Sequence, residues 1–146
     1  MRELPRQLSA GELAELFEGR TRFVERLAEL DDPLGQARRV ATQDLTPAQK
    51  REALDSHPAI GAKNLSARSA AEQGADADPE VLAELERLNR EYEERHGFRF
   101  VVFVDRRSKA EILEVLRSRI DNPTGEELDT ALGELVAIAE DRWRSG

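Results

Sequence analysis

The chain has 146 residues, no cysteine, 22 Lys and Arg against 30 Asp and Glu, and a formal charge of -8. Without cysteine there are no disulfides, thiolate nucleophiles or cysteine-zinc sites, and the acidic balance argues against a non-specific nucleic-acid binder. No run of about 18 apolar residues is present to span a membrane, and the length suits one domain over residues 1–146 with a buried core.

From the N-terminus, "MRELPRQLSAGELAEL" lacks the apolar stretch of a secretory signal, so a cytoplasmic location is expected. Ser9 to Glu12 has the spacing of a capping box, in which a hydroxyl and an acid three residues on satisfy each other's backbone N–H. Leu13, Leu16 and Phe17 mark the inner face of that first helix, and Phe23, Val24, Leu27 and Leu30 that of the second. Thr46–Gln49, Ser69–Glu72, Ser108–Glu111 and Thr124–Glu127 repeat the box, and Asp78-Pro79 adds a start with an acid cap and proline at the first helical position. Val81, Leu82, Leu85, Leu88 and Tyr92 stripe a longer helix ending near His96-Gly97. Ile112, Leu113, Val115 and Leu116 stripe another, and Leu128, Leu132, Leu135 and Ala139 the last. The expected fold is an all-α bundle of about eight or nine helices. "QGADAD", 73–78, reads as a hinge between two of them.

"FRFVVFV", 98–104, is aromatic and β-branched like a strand but has no second segment to pair with. It is expected to be an extended or short helical apolar segment packed among helices, offering backbone polar groups to the interior.

The chain has two histidines. His57 precedes Pro58, which disfavours helix at residue 57, so the helix begun at Pro47 should end there. Two readings stand: a helix cap, or a proton carrier held on a bend. His96 reads as the C-terminal cation of its helix beside Gly97. At about 100° per residue Arg142 falls about 40° from Leu128, on the apolar stripe. Either its stem lies along the core edge with the head in water, or its buried charge needs an anion. Arg119 also points inward and reads as a structural cation paired with a carboxylate. Glu72 reads as the third residue of the Ser69 box or as a third member of a trio with His57 and Arg142.

"HPAIG", "SARSAAEQGA", "LNREYEERHGFRFVVFV", "ILEVLRSRIDNPTGEEL" and "ELVAIAEDRW" resemble, in order, the motifs of the OHCU decarboxylase family, where OHCU is 2-oxo-4-hydroxy-4-carboxy-5-ureidoimidazoline. The resemblance covers most of the chain and is weakest before about residue 40, where the residues suggest helices and no function. It implies a compact all-helical homodimer that uses no cofactor and no metal. It implies decarboxylation of this ureidoimidazoline to (S)-allantoin and carbon dioxide in urate catabolism. It places the proton donor on His57, the catalytic acid on Glu72, and substrate contacts on Pro58, Ser69, Gln73, Phe100, Val101, Val102, Phe103, Val104 and Arg142. His96 stands where a Phe is common, the loop between His57 and Ser69 is shorter than in many relatives, and Ala59 follows His57-Pro58 where an acid is usual. Two other readings stay open: a non-catalytic helical interaction module of the same fold, and a purine- or ureide-pathway enzyme of different specificity.

Overall fold

The structure, a computed structural model, describes residues 4–5, 7–57 and 78–145. Among these it has no strand and seven α-helices: α1 (Ala10–Phe17), α2 (Arg22–Ala28), α3 (Pro33–Arg39), α4 (Pro47–Asp55), α5 (Pro79–His96), α6 (Lys109–Ile120) and α7 (Thr124–Ser145). A single π-helical turn, Val40–Asp44, follows α3. The all-α expectation holds. The helix count among the described residues is below the eight or nine expected, and the Ser69 box and most of the 73–78 hinge lie outside them.

Local chemistry sets most helix starts. Ser9, Thr46 and Ser108 each accept from the N–H of the third helical residue, whose Glu12, Gln49 or Glu111 side chain returns the bond. Such a cap stabilises a helix by about 1 kcal/mol. Asp78 accepts from the Glu80 N–H ahead of Pro79. Gly97, at φ 78°, ends α5 in the left-handed conformation that only glycine takes without strain.

The Thr124–Glu127 box does not form. The Thr124 hydroxyl lies 2.8 Å from His96 Nδ1, and the Glu127 carboxylate faces Arg119, Tyr92 and Asn122. A tertiary partner with more to offer takes each half. His96 stands in the last turn of its helix beside Gly97, as its reading placed it, and is 2% exposed. Its Nε2–H donates to the Ile120 carbonyl at 3.0 Å, and its ring lies at a tilt against Tyr92 and Phe98.

α7 is the hub. It packs on α1, α3, α4 and the π-helical turn, while α5 pairs with α6. Leu128, Leu132, Leu135, Ala139 and Arg142 are buried along it at alternating four- and three-residue steps, the spacing of one helix face. Each fully buried leucine contributes about 1.5–3 kcal/mol. In α5 the buried face runs through Leu85, Leu88, Tyr92 and His96, whereas Leu82, expected on the inside, is 38% exposed. No described helix is long and apolar enough to cross a membrane.

Between α5 and α6 the 98–104 segment is extended without strand pairing, with Phe98, Phe100, Val101, Val102 and Val104 buried. Three arginines hold its backbone. Arg119 donates to the Val101 carbonyl (2.9 Å), Arg107 to those of Phe103 (2.6 Å) and Val104 (3.2 Å), and Arg99 ties its start to α4. Side-chain donors thus replace the missing neighbour strand. Asp105 and Arg106, both with positive φ, turn the chain into α6.

Candidate active site

The C-terminal ends of α1, α4 and α7 come together around His57. α4 ends where the His57-Pro58 pair forbids continuation. Ser56 folds its hydroxyl back onto the Ala53 carbonyl (2.9 Å), and the His57 N–H reaches the Leu54 carbonyl (3.1 Å). His57 is then carried inward, 7% exposed, with no described hydrogen-bond partner for Nδ1. Burial pushes the imidazole down to about 4, helped by the positive charges of Arg142 and Arg99 and opposed by Glu18. At neutral pH His57 is therefore an uncharged base.

Arg142 enters from α7. The reading with its head in water is overturned, because the residue is 4% exposed. Nη1 donates to the Leu16 carbonyl at 2.9 Å, and Nη2 lies 3.3 Å from Glu18 Oε1. The guanidinium thus serves the negative end of α1, which has no basic residue in its own last turn. The anion that the buried charge requires comes from within the chain, as Glu18.

Glu18 was not legible in the sequence. It caps α1 at φ 62°, a conformation in which glycine would be expected, yet glycine occupies the next position. The reason is tertiary. A Cβ on Gly19 would stand 2.6 Å from Ser56 Cβ, so residue 19 must lack a side chain where α1 meets α4. The close approach takes the glycine, and the left-handed position falls to Glu18. Gly19→Ala is accordingly expected to destabilise the fold by about 1–3 kcal/mol through this clash. Adding Ser56→Gly should restore much of the loss, a coupling that urea denaturation of the single and double variants measures.

Arg119 is structural, as its reading held. Its Nε contacts both Glu127 oxygens (3.2 and 3.0 Å), Nη2 lies 2.9 Å from Oε2, and its guanidinium covers the Phe100 ring at 4.7 Å. Burial pushes the Glu127 carboxyl up, but the Arg119 and Tyr92 hydrogen bonds outweigh it and hold the group below the usual carboxylate range. Tyr92, buried and bonded to Glu127 at 2.5 Å, is shifted upward and stays protonated.

The structure thus brings His57, Arg142 and Arg99, the residue before Phe100, into one region, with Glu18 as the acid beside them. Pro58, Ser69, Glu72 and Gln73 lie outside the described residues. Among the described residues no cluster of His, Asp and Glu is arranged to hold a metal.

An all-helical frame with a buried imidazole and guanidinium at converging helix ends suits small-molecule acid–base chemistry. The sequence model of the OHCU decarboxylase family matches residues 2–144, and the chain belongs to that family. It is 30% identical over 114 residues to the 2-oxo-4-hydroxy-4-carboxy-5-ureidoimidazoline decarboxylase of Haloferax volcanii, an alignment covering 75% of this chain and 68% of the relative. It is also 30% identical over 113 residues to the protein of the same name from Halalkalicoccus jeotgali, covering 74% of this chain and 64% of the relative. The crystal structure of an OHCU decarboxylase in the presence of (S)-allantoin superposes with a TM-score of 0.75 at 25% identity, over 90% of this chain and 94% of that one. An (S)-allantoin synthase structure shares the fold at a TM-score of 0.69 and 20% identity, over 93% of this chain and 48% of that one.

Proposed function

We propose that the chain decarboxylates OHCU to (S)-allantoin and carbon dioxide in urate degradation, without a cofactor, as a single domain acting in a cytoplasmic homodimer. The observation that carries this reading is His57: a buried imidazole, uncharged at neutral pH, beside a buried Arg142, in a chain of this family.

The chemistry asks little of a protein. When carbon dioxide leaves, its bonding pair enters the ring, and the adjacent C=N nitrogen takes up the charge, so the substrate is its own electron sink. The nitrogen gains a proton from solvent. The resulting enol then loses its hydroxyl proton while the neighbouring ring carbon gains one. An uncharged His57 is suited to accept the first of these and return it to one face of the carbon, which would make the allantoin a single enantiomer. In this scheme the imidazole begins as a base and becomes the donor that the family resemblance assigns to it.

Arg142 would hold an anionic group of the substrate. A guanidinium has five N–H donors, so its contacts with Leu16 and Glu18 are compatible with a further partner. Glu72 would orient the imidazole or bind ring N–H groups. Pro58, Ser69, Gln73 and the Phe100–Val104 backbone would line the rest of the pocket and exclude water.

The test generates OHCU from urate with two upstream enzymes and follows circular dichroism. Fast formation of one allantoin enantiomer, unaffected by chelators, is expected. A rate equal to the spontaneous racemic background would end the proposal.

A further inference from the structure

Arg99 lies in a family motif that assigns it no role and Asp55 lies in none, yet together they join the end of α4 at His57 to the start of the 98–104 segment. The join is reciprocal. Asp55 Oδ1 accepts from the backbone N–H of Arg99 at 3.1 Å, while Arg99 Nη1 donates back to the Asp55 carbonyl at 3.1 Å and to the His57 carbonyl. Those carbonyls are the unpaired acceptors at the end of α4, where a cation is favoured. Glu93 on α5 backs the guanidinium from the other side, 3.6 Å from Nε. Holding the His57 carbonyl fixes the peptide plane that follows the imidazole-bearing carbon. With Gly19 packed on Ser56 immediately before it, the backbone of His57 is gripped on both sides.

We propose that Arg99 and Asp55 are positioning residues: a two-way clamp that sets where the His57 imidazole stands relative to the Phe100–Val104 wall. The inference rests on the proposed role of His57 as proton carrier. A bare surface ion pair would contribute little, about 0–1 kcal/mol. This pair instead bonds through backbone groups on both sides, so it fixes geometry beyond any charge attraction.

Among the described residues, the charged groups acting on His57 are Arg142 from α7, Glu18 from the end of α1 and Arg99 from the segment. Arg99 therefore acts on the imidazole in two ways, by place and by charge, and variants separate them. Arg99→Met removes both. Arg99→Lys keeps the cation but loses the rigid planar guanidinium that fixes the bond directions. Asp55→Asn keeps an oxygen acceptor for the Arg99 N–H, and Asp55→Ala does not.

The experiment combines NMR of the His57 ring in the ligand-free chain, its titration and its through-space contacts, with initial rates on freshly made OHCU. His57→Asn assigns the ring signals against those of His96, the only other histidine. Arg99→Met should raise the His57 pKa, by less than loss of the Arg142 charge would. It should lower kcat roughly tenfold or more, with KM within about twofold, the mark of lost orientation. Arg99→Lys should leave the titration in place with an intermediate kcat. Asp55→Asn should approach the wild type, and Asp55→Ala should follow Arg99→Met in kcat. Unchanged through-space contacts of the His57 ring in both Arg99→Met and Asp55→Ala overturn the clamp. So does a wild-type kcat in both Arg99→Met and Asp55→Ala, even if their melting temperatures fall. Should the wild type itself fail to turn over OHCU, the functional proposal falls, and the ring contacts alone decide the clamp.

Discussion

Replacing His57 with asparagine should lower kcat for OHCU decarboxylation by roughly 10²–10⁴-fold, the usual weight of a positioned proton carrier. Asparagine is close in size to the lost ring and keeps polarity, so folding should survive. The pH behaviour makes the prediction sharper. In the folded chain the imidazole titrates near 4, pushed down by burial and by the Arg142 and Arg99 charges, against about 6.5 in an unfolded chain. Above pH 6.5 both states hold an uncharged ring, and His57 adds no pH dependence. As pH falls from 6.5 to 4 the unfolded chain takes up a proton that the folded chain refuses. Stability therefore drops across that window by about 3 kcal/mol. His57→Asn should lose that component of acid sensitivity, measured by urea denaturation at several pH values. In the same way, kcat/KM, which reports the free enzyme, should hold from neutrality down to an acid limb near 4 if the uncharged ring is the active form. A profile that declines on rising through 4 would instead mean that a pre-charged His57 is required.

The second large effect lies at the opposite end of α7 from Arg142. Glu127→Ala should destabilise the chain by about 3–5 kcal/mol, because it leaves the Arg119 guanidinium buried against Phe100 without its carboxylate. It also orphans the Tyr92 hydroxyl and the Asn122 amide. For a domain of this size that corresponds to a fall in melting temperature on the order of 10 °C. The pair itself is worth less than its disruption costs, since removing two charges from water is expensive. Tyr92→Phe, Arg119→Met and Glu127→Leu together should thus recover much of the loss. If the single alanine variant melts like the wild type, the cluster is not the structural tie described here.

What the sequence made legible was whatever is decided within a few residues. The Ser9, Thr46 and Ser108 caps, the Asp78-Pro79 start, the Gly97 stop and the inward aim of Arg142 all follow from spacing along one helix. So does the end of α4 at the His57-Pro58 pair. The 98–104 segment, which reads as lacking a strand partner, has none among the described residues. The readings that failed did so where a distant residue outbid a near one. Thr124 and Glu127 have capping spacing, but His96 and Arg119 reach them from other helices. Glu18 beside Arg142, and Arg99 across the end of α4, are contacts 124 and 42 positions apart in the chain, beyond any periodicity. Family resemblance supplied Glu72, Ser69, Gln73 and Pro58, which lie outside the described residues.

α7 carries both kinds of buried charge, Glu127 near its start and Arg142 near its end. Fifteen residues at 1.5 Å each separate the two by about 22 Å. The helix is thus a beam with the stability-bearing cluster bolted at one tip and the reactive corner at the other. Arg119 also holds the Val101 carbonyl and the Phe100 ring, so a change at the cluster tip travels into the proposed substrate wall, and tolerance to heat and the pace of turnover are tied together through that one side chain.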